Sequence, residues 1–170
     1  MIFGILAAHA RERVVRRSDR ARILRVNTYD IRADPGRLQP DAIHAYLVRS
    51  YWSPGVPRAV VDRAIANSLC FGIYVAASNK QVGFARVVTD KATFAYLADV
   101  YVLEEHRGQG LSKRLVATIQ AHPDLQGLRR FMLATADAHG LYAQFGFKPL
   151  AAPERVMEIR NPDVYRAAPK

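Results

Sequence analysis

The segment Val100–Leu115, VYVLEEHRGQGLSKRL, determines the fold expected for this chain. An apolar run ends at Leu103, two acidic residues and a histidine follow, and the RGQG sequence at 107–110 leads into an amphipathic stretch without glycine or proline. This order predicts a strand, a tight glycine turn and a helix. The first N–H groups of such a helix lack partners and carry its positive dipole end. The turn is therefore suited to bind an anion such as a pyrophosphate.

Two familiar phosphate-binding motifs do not describe this turn. The pattern G-x-x-x-x-G-K-[ST] is absent, and G-x-G-x-x-G lacks its third glycine after Gly110. Residues 107–112 do fit [Q/R]-x-x-G-x-[G/A], with Ser112 in place of the final glycine or alanine. This segment therefore resembles the acyl-coenzyme A signature of the GCN5-related N-acetyltransferase (GNAT) superfamily. An ordinary strand-to-helix turn is the alternative interpretation.

A second segment resembles another hallmark of the same superfamily, A-x-x-[L/F]-Y-x-x-x-G-F. Ala138-x-x-Leu141-Tyr142 and Gly146-Phe147 match it in place. The resemblance covers roughly residues 25–160. It implies a mixed α/β (α+β) GNAT fold, in which a mostly antiparallel sheet is flanked by helices. It also implies that the sheet splays apart between a strand at 93–103 and a strand at 128–134.

The resemblance further implies that acetyl-coenzyme A (acetyl-CoA) is the co-substrate. Its pantetheine arm would lie in the splayed gap and pair with the main chain of residues 100–102. A main-chain N–H near Tyr101 would polarise the acyl oxygen. Its pyrophosphate would lie on the N–H groups of residues 108–113. Thr135 stands where many relatives have an Asn that bonds the arm. The predicted cofactor-binding residues are Val100, Tyr101, Val102, Arg107, Gly108, Gln109, Gly110, Leu111, Ser112, Lys113 and Thr135.

Acetyl transfer to an amine requires two proton transfers. A primary amine has a pKa of ~10.4, so a base must deprotonate it at neutral pH, and the leaving thiolate profits from a proton donor. By resemblance Tyr142 is the donor; a core tyrosine is the alternative. Asp99 is a lone acid in an apolar strand, which is expensive to bury unpaired, so it is either the base or the partner of an arginine. Asp137 and His139 are further candidates at the acceptor end.

The acceptor pocket is predicted around the loop at 51–57, which holds the only tryptophan, two prolines and a glycine. In the superfamily, the loop between the first two helices often lines the acceptor pocket. Tyr51 and Trp52 are then candidate walls for the acceptor. The alternative is a rigid corner in which Trp52 fills the core.

Hydrophobic periodicity and turn residues predict the other elements. We expect strands at 25–32, 70–76, 81–88, 93–103, 128–134 and 154–160. A further strand is expected to begin at Phe147. We expect helices at 40–51, 57–67 and 111–121 and a short helix before Gly146.

The N-terminal residues 1–24 differ from the rest. Residues 1–25 hold seven arginines and two acidic residues, about half of the net charge of +10. We expect residues 1–24 to be a loosely ordered basic extension, 25–165 an N-acetyltransferase domain and 166–170 a tail. A short amphipathic helix, a transit peptide, a start-site artefact and a nucleic-acid-binding arm are alternatives for the extension. Its apolar start precedes the arginines, which is the wrong order for a secretory signal.

These features favour an enzyme that transfers the acetyl group of acetyl-CoA directly to a primary amine of a small molecule. A single cysteine excludes an internal disulfide, the chain has no apolar run of membrane-spanning length, and no Cys/His cluster has metal-ligand spacing. We therefore expect a cytoplasmic protein without a metal or a membrane partner, and a homodimer is compatible with the sequence. A non-catalytic acyl-CoA-binding sensor and a nucleic-acid binder are the competing hypotheses.

Overall fold

The computed structural model describes residues 28–165. The predicted basic extension, the first residues of the predicted strand at 25–32 and the tail at 166–170 lie outside these residues. The described strands are β1 (Tyr29–Arg32), β2 (Leu69–Val75), β3 (Gln81–Thr89), β4 (Phe94–Val102) and β5 (Arg130–Leu133). The α-helices are α1 (Pro40–Leu47), α2 (Arg58–Ala66), α3 (Leu111–Gln120) and α4 (His139–Ala143). Short 3-10 helices lie at Pro35–Arg37, Glu104–His106, Pro123–Leu125 and Pro153–Arg155.

The strands form one sheet in the order β1-β2-β3-β4-β5. The first three pairings are antiparallel and the β4–β5 pairing is parallel. This confirms the mixed α/β fold with a mostly antiparallel sheet. Among residues 28–165, no helix is long and apolar enough to cross a membrane.

Helices cover both faces of the sheet. The buried side of α3 follows the helical period, as predicted, and packs on one face through Leu111, Leu115, Val116 and Ile119. On the other face, α1 and α2 form a second apolar cluster with Ile43, Leu47, Val61, Phe84 and Tyr101. The sheet lies between these two layers, and the C-terminal half of β4 forms one wall of a cleft.

The sheet opens where β5 leaves β4. Their parallel register runs from Phe94 opposite Arg130 to Leu97 opposite Leu133 and ends there. β4 continues along β3 as far as Val102, and the β3–β4 register shifts between Phe84 and Arg86. At this bulge Asp99 has a φ of 55°, in the left-handed region. The separation of β4 from β5 confirms the predicted splayed gap.

Two predicted strands are wrong. Residues 147–150 form no strand, since Pro149 lacks the N–H that a ladder requires. Residues 156–160 form no strand either, although Val156 has an extended backbone. Their apolar side chains are exposed, with Met157 at 95% and Ile159 at 104%. An alternating pattern predicts an extended conformation but does not supply the neighbouring strand that completes a ladder.

Candidate active site

The gap between β4 and β5 continues into a cleft of roughly 1160 Å³. It is lined by residues 96–102 of β4, by residues 134–138 after β5, by Tyr142 of α4 and by the loop between α1 and α2. The cleft brings together many of the predicted site residues: Tyr51, Trp52, Asp99, Val100, Tyr101, Val102, Arg107, Ser112, Thr135 and Tyr142. Residues 108–111 and Lys113 are not part of the lining, but Arg107 and Ser112, on either side of residues 108–111, are, so the glycine turn lies at one border of the cleft.

The turn has the geometry of an anion site. Gly108 and Gly110 both have a φ of 73°, and a Cβ placed on either would meet nothing within 4 Å. The glycines are therefore needed for their left-handed backbone, and the space beside them is open. Gly110 is the N-cap residue of α3, and no described side chain caps that helix. Its first N–H groups are thus available to a ligand, and the site fits a phosphate group.

Side chains hold the turn against the sheet. The Arg107 guanidinium donates to the Val102 carbonyl (3.0 Å), to the Tyr46 hydroxyl (3.1 Å) and to the Glu104 carboxylate (3.0 Å). Gln109 donates to the Tyr29 hydroxyl at 3.1 Å. A hydrogen bond from its own backbone N–H lowers the pKa of the Glu104 carboxyl, and the nearby charges of Arg107 and Arg49 lower it further. These contacts keep the turn preorganised.

Beyond Leu97, β4 has no β5 residue paired with it on its cleft side. The Leu103 N–H donates to the Val82 carbonyl of the neighbouring strand β3 at 2.8 Å. The Val102 carbonyl instead accepts from Arg107 of the turn. Main-chain groups of alternate residues point to the same edge of a strand. Val100 and Val102 therefore face the open edge, and the main chain of Tyr101 faces β3. The Tyr101 ring stacks on Tyr46 with centroids 3.8 Å apart.

Asp99 lies in the cleft wall with both carboxylate oxygens engaged. Oδ2 accepts from Arg86 Nε at 2.7 Å, and Oδ1 accepts from Trp52 Nε1 at 3.1 Å. Arg86 also donates to Ser68 at 3.3 Å. The arginine partner that the sequence offered as one alternative for this acid is therefore present. Asp99 links the sheet to the loop that carries Trp52.

Tyr142 lies on α4 and is 7% exposed. Its ring packs edge-on to Phe147 with centroids 5.9 Å apart. Within residues 28–165 its hydroxyl has no hydrogen-bond partner, and the residue lines the cleft. Burial, together with smaller contributions from the charges of Tyr51 and Asp137, raises the pKa of Tyr142 to about 12. The hydroxyl therefore keeps its proton at neutral pH.

The two aromatic side chains of the α1–α2 loop are exposed rather than part of the core. Tyr51 is 63% and Trp52 39% exposed, and their rings meet edge-on with centroids 5.0 Å apart. Thr135 uses its hydroxyl oxygen to accept from the Ala138 N–H at 3.0 Å, which leaves the hydroxyl hydrogen for another partner. Among the described residues, no group of three His, Cys, Asp or Glu side chains could hold a metal ion.

Sequence reasoning did not identify Arg86 and Tyr46 as part of the site. Arg86 is a charged residue within the mostly apolar β3 sequence, the same signal that singled out Asp99. Pairing the two would have required the β3–β4 register. Tyr46 carries no such signal, because its spacing in α1 is that of an ordinary core residue.

Comparison with known proteins agrees with this geometry. The family model for the acetyltransferase (GNAT) domain matches residues 70–149. The protein of Gibberella zeae named "Putative acetyltransferase FG08082" is 35% identical over an alignment of 137 positions, and the match covers 68% of this chain and 76% of that protein. The chain belongs to the GNAT family of acetyltransferases. Members of this family use acetyl-CoA.

Solved structures share the fold. A crystal structure from Xanthomonas campestris pv. campestris, described as a putative acetyltransferase belonging to the GNAT family, is 51% identical. The match covers 82% of this chain and 97% of that chain, with a TM-score of 0.79. A predicted acetyltransferase from Clostridium acetobutylicum, solved with acetyl-CoA, is 12% identical and has a TM-score of 0.58. That match covers 78% of this chain and 96% of the other and shows the fold alone.

Proposed function

We propose that this protein transfers the acetyl group of acetyl-CoA directly to a primary amine of a small molecule. The observation that carries the proposal is the position of the glycine turn and the uncapped N-terminus of α3 at the border of the gap between β4 and β5. The turn would hold the diphosphate, and the gap would receive the pantetheine arm. The reaction would take place in the cytoplasm without a metal ion.

The open main chain of β4 supports a defined place for the arm. Val100 and Val102 face the gap, so both of their N–H groups and the Val100 C=O can pair with amides of the arm as a neighbouring strand would, while the Val102 C=O accepts from Arg107. Thr135 lies across the gap with a free hydroxyl hydrogen. An N–H at this edge would also polarise the thioester oxygen, an arrangement whose loss costs about 2.7–4 kcal/mol in other enzymes.

Tyr142 is the proposed proton donor. In the transfer, the amine nitrogen bonds to the thioester carbon, the C–S bond breaks, and the thiolate takes the hydroxyl proton of Tyr142. The acceptor ammonium first loses one proton to a base or to solvent, the nitrogen loses a second one in the same way as the amide forms, and the tyrosinate is reprotonated from solvent. The hydroxyl suits this role because it is protonated at neutral pH and faces the cleft without a partner among the described residues.

The contacts of Asp99 support a positioning role over that of a base, and one variant separates the two. Asp99→Asn removes the charge but keeps an oxygen that can accept from Trp52. We expect turnover to fall by less than about tenfold, whereas loss of a general base costs about 10²–10⁴-fold. The pH dependence of kcat/KM measures the difference directly. If the fall of kcat/KM at low pH disappears in the variant, Asp99 is the base.

Thiol release distinguishes an enzyme from a sensor. Purified protein is incubated with acetyl-CoA and a panel of amines, and free thiol is measured together with acetyl-CoA binding by calorimetry. We expect amine-dependent release well above hydrolysis. Binding of acetyl-CoA without release across amino acids, polyamines, aminoglycosides and arylalkylamines would instead support the non-catalytic acyl-CoA-binding module.

A further inference from the structure

The charges that line the cleft are distributed unevenly. Three arginines and three carboxylates are present, and two of these carboxylates have arginine partners. Asp99 pairs with Arg86 at 2.7 Å. Glu104 pairs with Arg107 at 3.0 Å and lies 3.7 Å from Arg49. The end of the cleft beside the turn therefore carries an excess of positive charge, as an anionic cofactor requires.

Asp137 is the remaining carboxylate. It lines the cleft in the stretch between β5 and α4, and no described residue forms an ion pair or a hydrogen bond with it. It lines the same cleft as Tyr142 and Tyr51, and its charge contributes to the raised pKa of Tyr142. A negative charge without a partner among the described residues thus lies in the cleft that holds the proposed proton donor.

An exposed aromatic surface lies in the same cleft. The Trp52 ring is held by the hydrogen bond from Nε1 to Asp99 and by contacts with Tyr51 and Tyr46. A ring that is already held loses little conformational freedom when a ligand packs against it. Exposed aromatic patches of this kind mark binding sites more often than chance.

The two arginines nearest the aromatic surface, Arg86 and Arg49, already have partners. The guanidinium of Arg86 is occupied by Asp99 and Ser68, and that of Arg49 lies near Glu104 and 5.1 Å from the Tyr46 ring centroid. A carboxylate or phosphate on the acceptor would compete with these contacts and would be repelled by Asp137.

We propose that the acceptor is a primary amine with an aromatic body and no acidic group, whose ammonium faces Asp137 and whose ring packs against Tyr51 and Trp52. This inference rests on the proposed function and specifies its substrate class. Asp137 thereby acts as a specificity residue: it draws the cationic end of the acceptor toward Tyr142, where the thioester would lie.

Three matched amines test the proposal by thiol release. Phenylethylamine has the ring and the amine, phenylalanine adds a carboxylate, and ethylamine lacks the ring. We expect kcat/KM for phenylethylamine to exceed that for each of the others by about tenfold or more, since an added unpaired charge and a lost aromatic contact each weaken binding.

Asp137→Asn is the matching variant. We expect KM for phenylethylamine to rise about tenfold, KM for acetyl-CoA to stay unchanged, and the preference over phenylalanine to shrink, because the repulsion that excludes the carboxylate is gone. The control is Glu154→Gln, which removes an exposed carboxylate outside the cleft and should leave all three amines unaffected.

The outcomes separate the two proposals. The proposed acceptor class is wrong if phenylalanine or ethylamine is turned over as well as phenylethylamine or better. It is also wrong if Asp137→Asn keeps the preference for phenylethylamine over phenylalanine. Either result leaves the proposed acetyltransferase activity standing. Bound acetyl-CoA without thiol release, with these amines and with the wider panel, overturns both.

Discussion

Replacing Tyr142 with Phe is expected to lower kcat by about 100-fold or more while the Kd for acetyl-CoA stays within about twofold. The substitution removes one oxygen from a buried ring whose packing against Phe147 is retained. The thiolate would then leave without a nearby proton donor. Steady-state kinetics at saturating acetyl-CoA, together with calorimetric binding, measure the two quantities separately.

The pH dependence adds a second readout for Tyr142. Because its pKa is raised to about 12, the donor form is fully populated from pH 6 to 10 and is lost only above that range. Deprotonation of Tyr142 should therefore not limit the wild-type rate below about pH 10.

Tyr74→Phe is the control for this substitution. Tyr74 is also a buried tyrosine, but it lies on β2 outside the cleft lining, and its hydroxyl has no partner among the described residues. We expect its activity to match the wild type. A Tyr142→Phe enzyme with unchanged turnover and weakened acetyl-CoA binding would contradict the proton-donor role.

The second large effect is expected at the turn. Gly110→Val should raise the Kd for acetyl-CoA about 5- to 30-fold and leave kcat at saturation largely intact. The reason is the φ of 73° at Gly110, since holding a residue with a Cβ in the left-handed region costs roughly 1–2 kcal/mol. The variant backbone relaxes away from the conformation that directs the N–H groups at the ligand. Calorimetric titration with acetyl-CoA measures the loss.

Gly127→Val provides a matched control. Gly127 has a φ of 69° and equally open surroundings, but it lies between the Pro123–Leu125 3-10 helix and β5 and is not part of the turn that precedes α3. Both variants should lose similar stability in thermal unfolding, and only Gly110→Val should lose acetyl-CoA affinity. Comparable affinity losses in the two variants would mean that the effect is one of folding rather than of the turn.

The parts of this protein that could be predicted from sequence are those encoded by neighbouring residues. The glycine turn and the helix after it follow from RGQG and the periodicity of residues 111–120, because left-handed backbone and amphipathic packing are local requirements. The hairpin of β2 and β3 follows from alternation around a short turn. The predictions of two C-terminal strands were wrong because a strand forms only with a partner strand, which is distant in the chain.

The pairing of charges required the tertiary structure. The sequence indicates that Asp99 needs a partner, yet whether it meets an arginine or a substrate depends on the register that places Arg86 beside the bulge. The same holds for Asp137. It stands out only because the other two carboxylates of the cleft pair with arginines in the tertiary structure.

By itself the sequence determined the family, the mixed fold and the glycine turn before α3, since short motifs encode local backbone geometry. Only the tertiary structure decided where the sheet opens, which side chains share the cleft and which carboxylate there has no partner. Those properties arise from contacts between residues such as Trp52, Arg86 and Asp99, and the free energy of such contacts depends on distances that the order of residues does not specify.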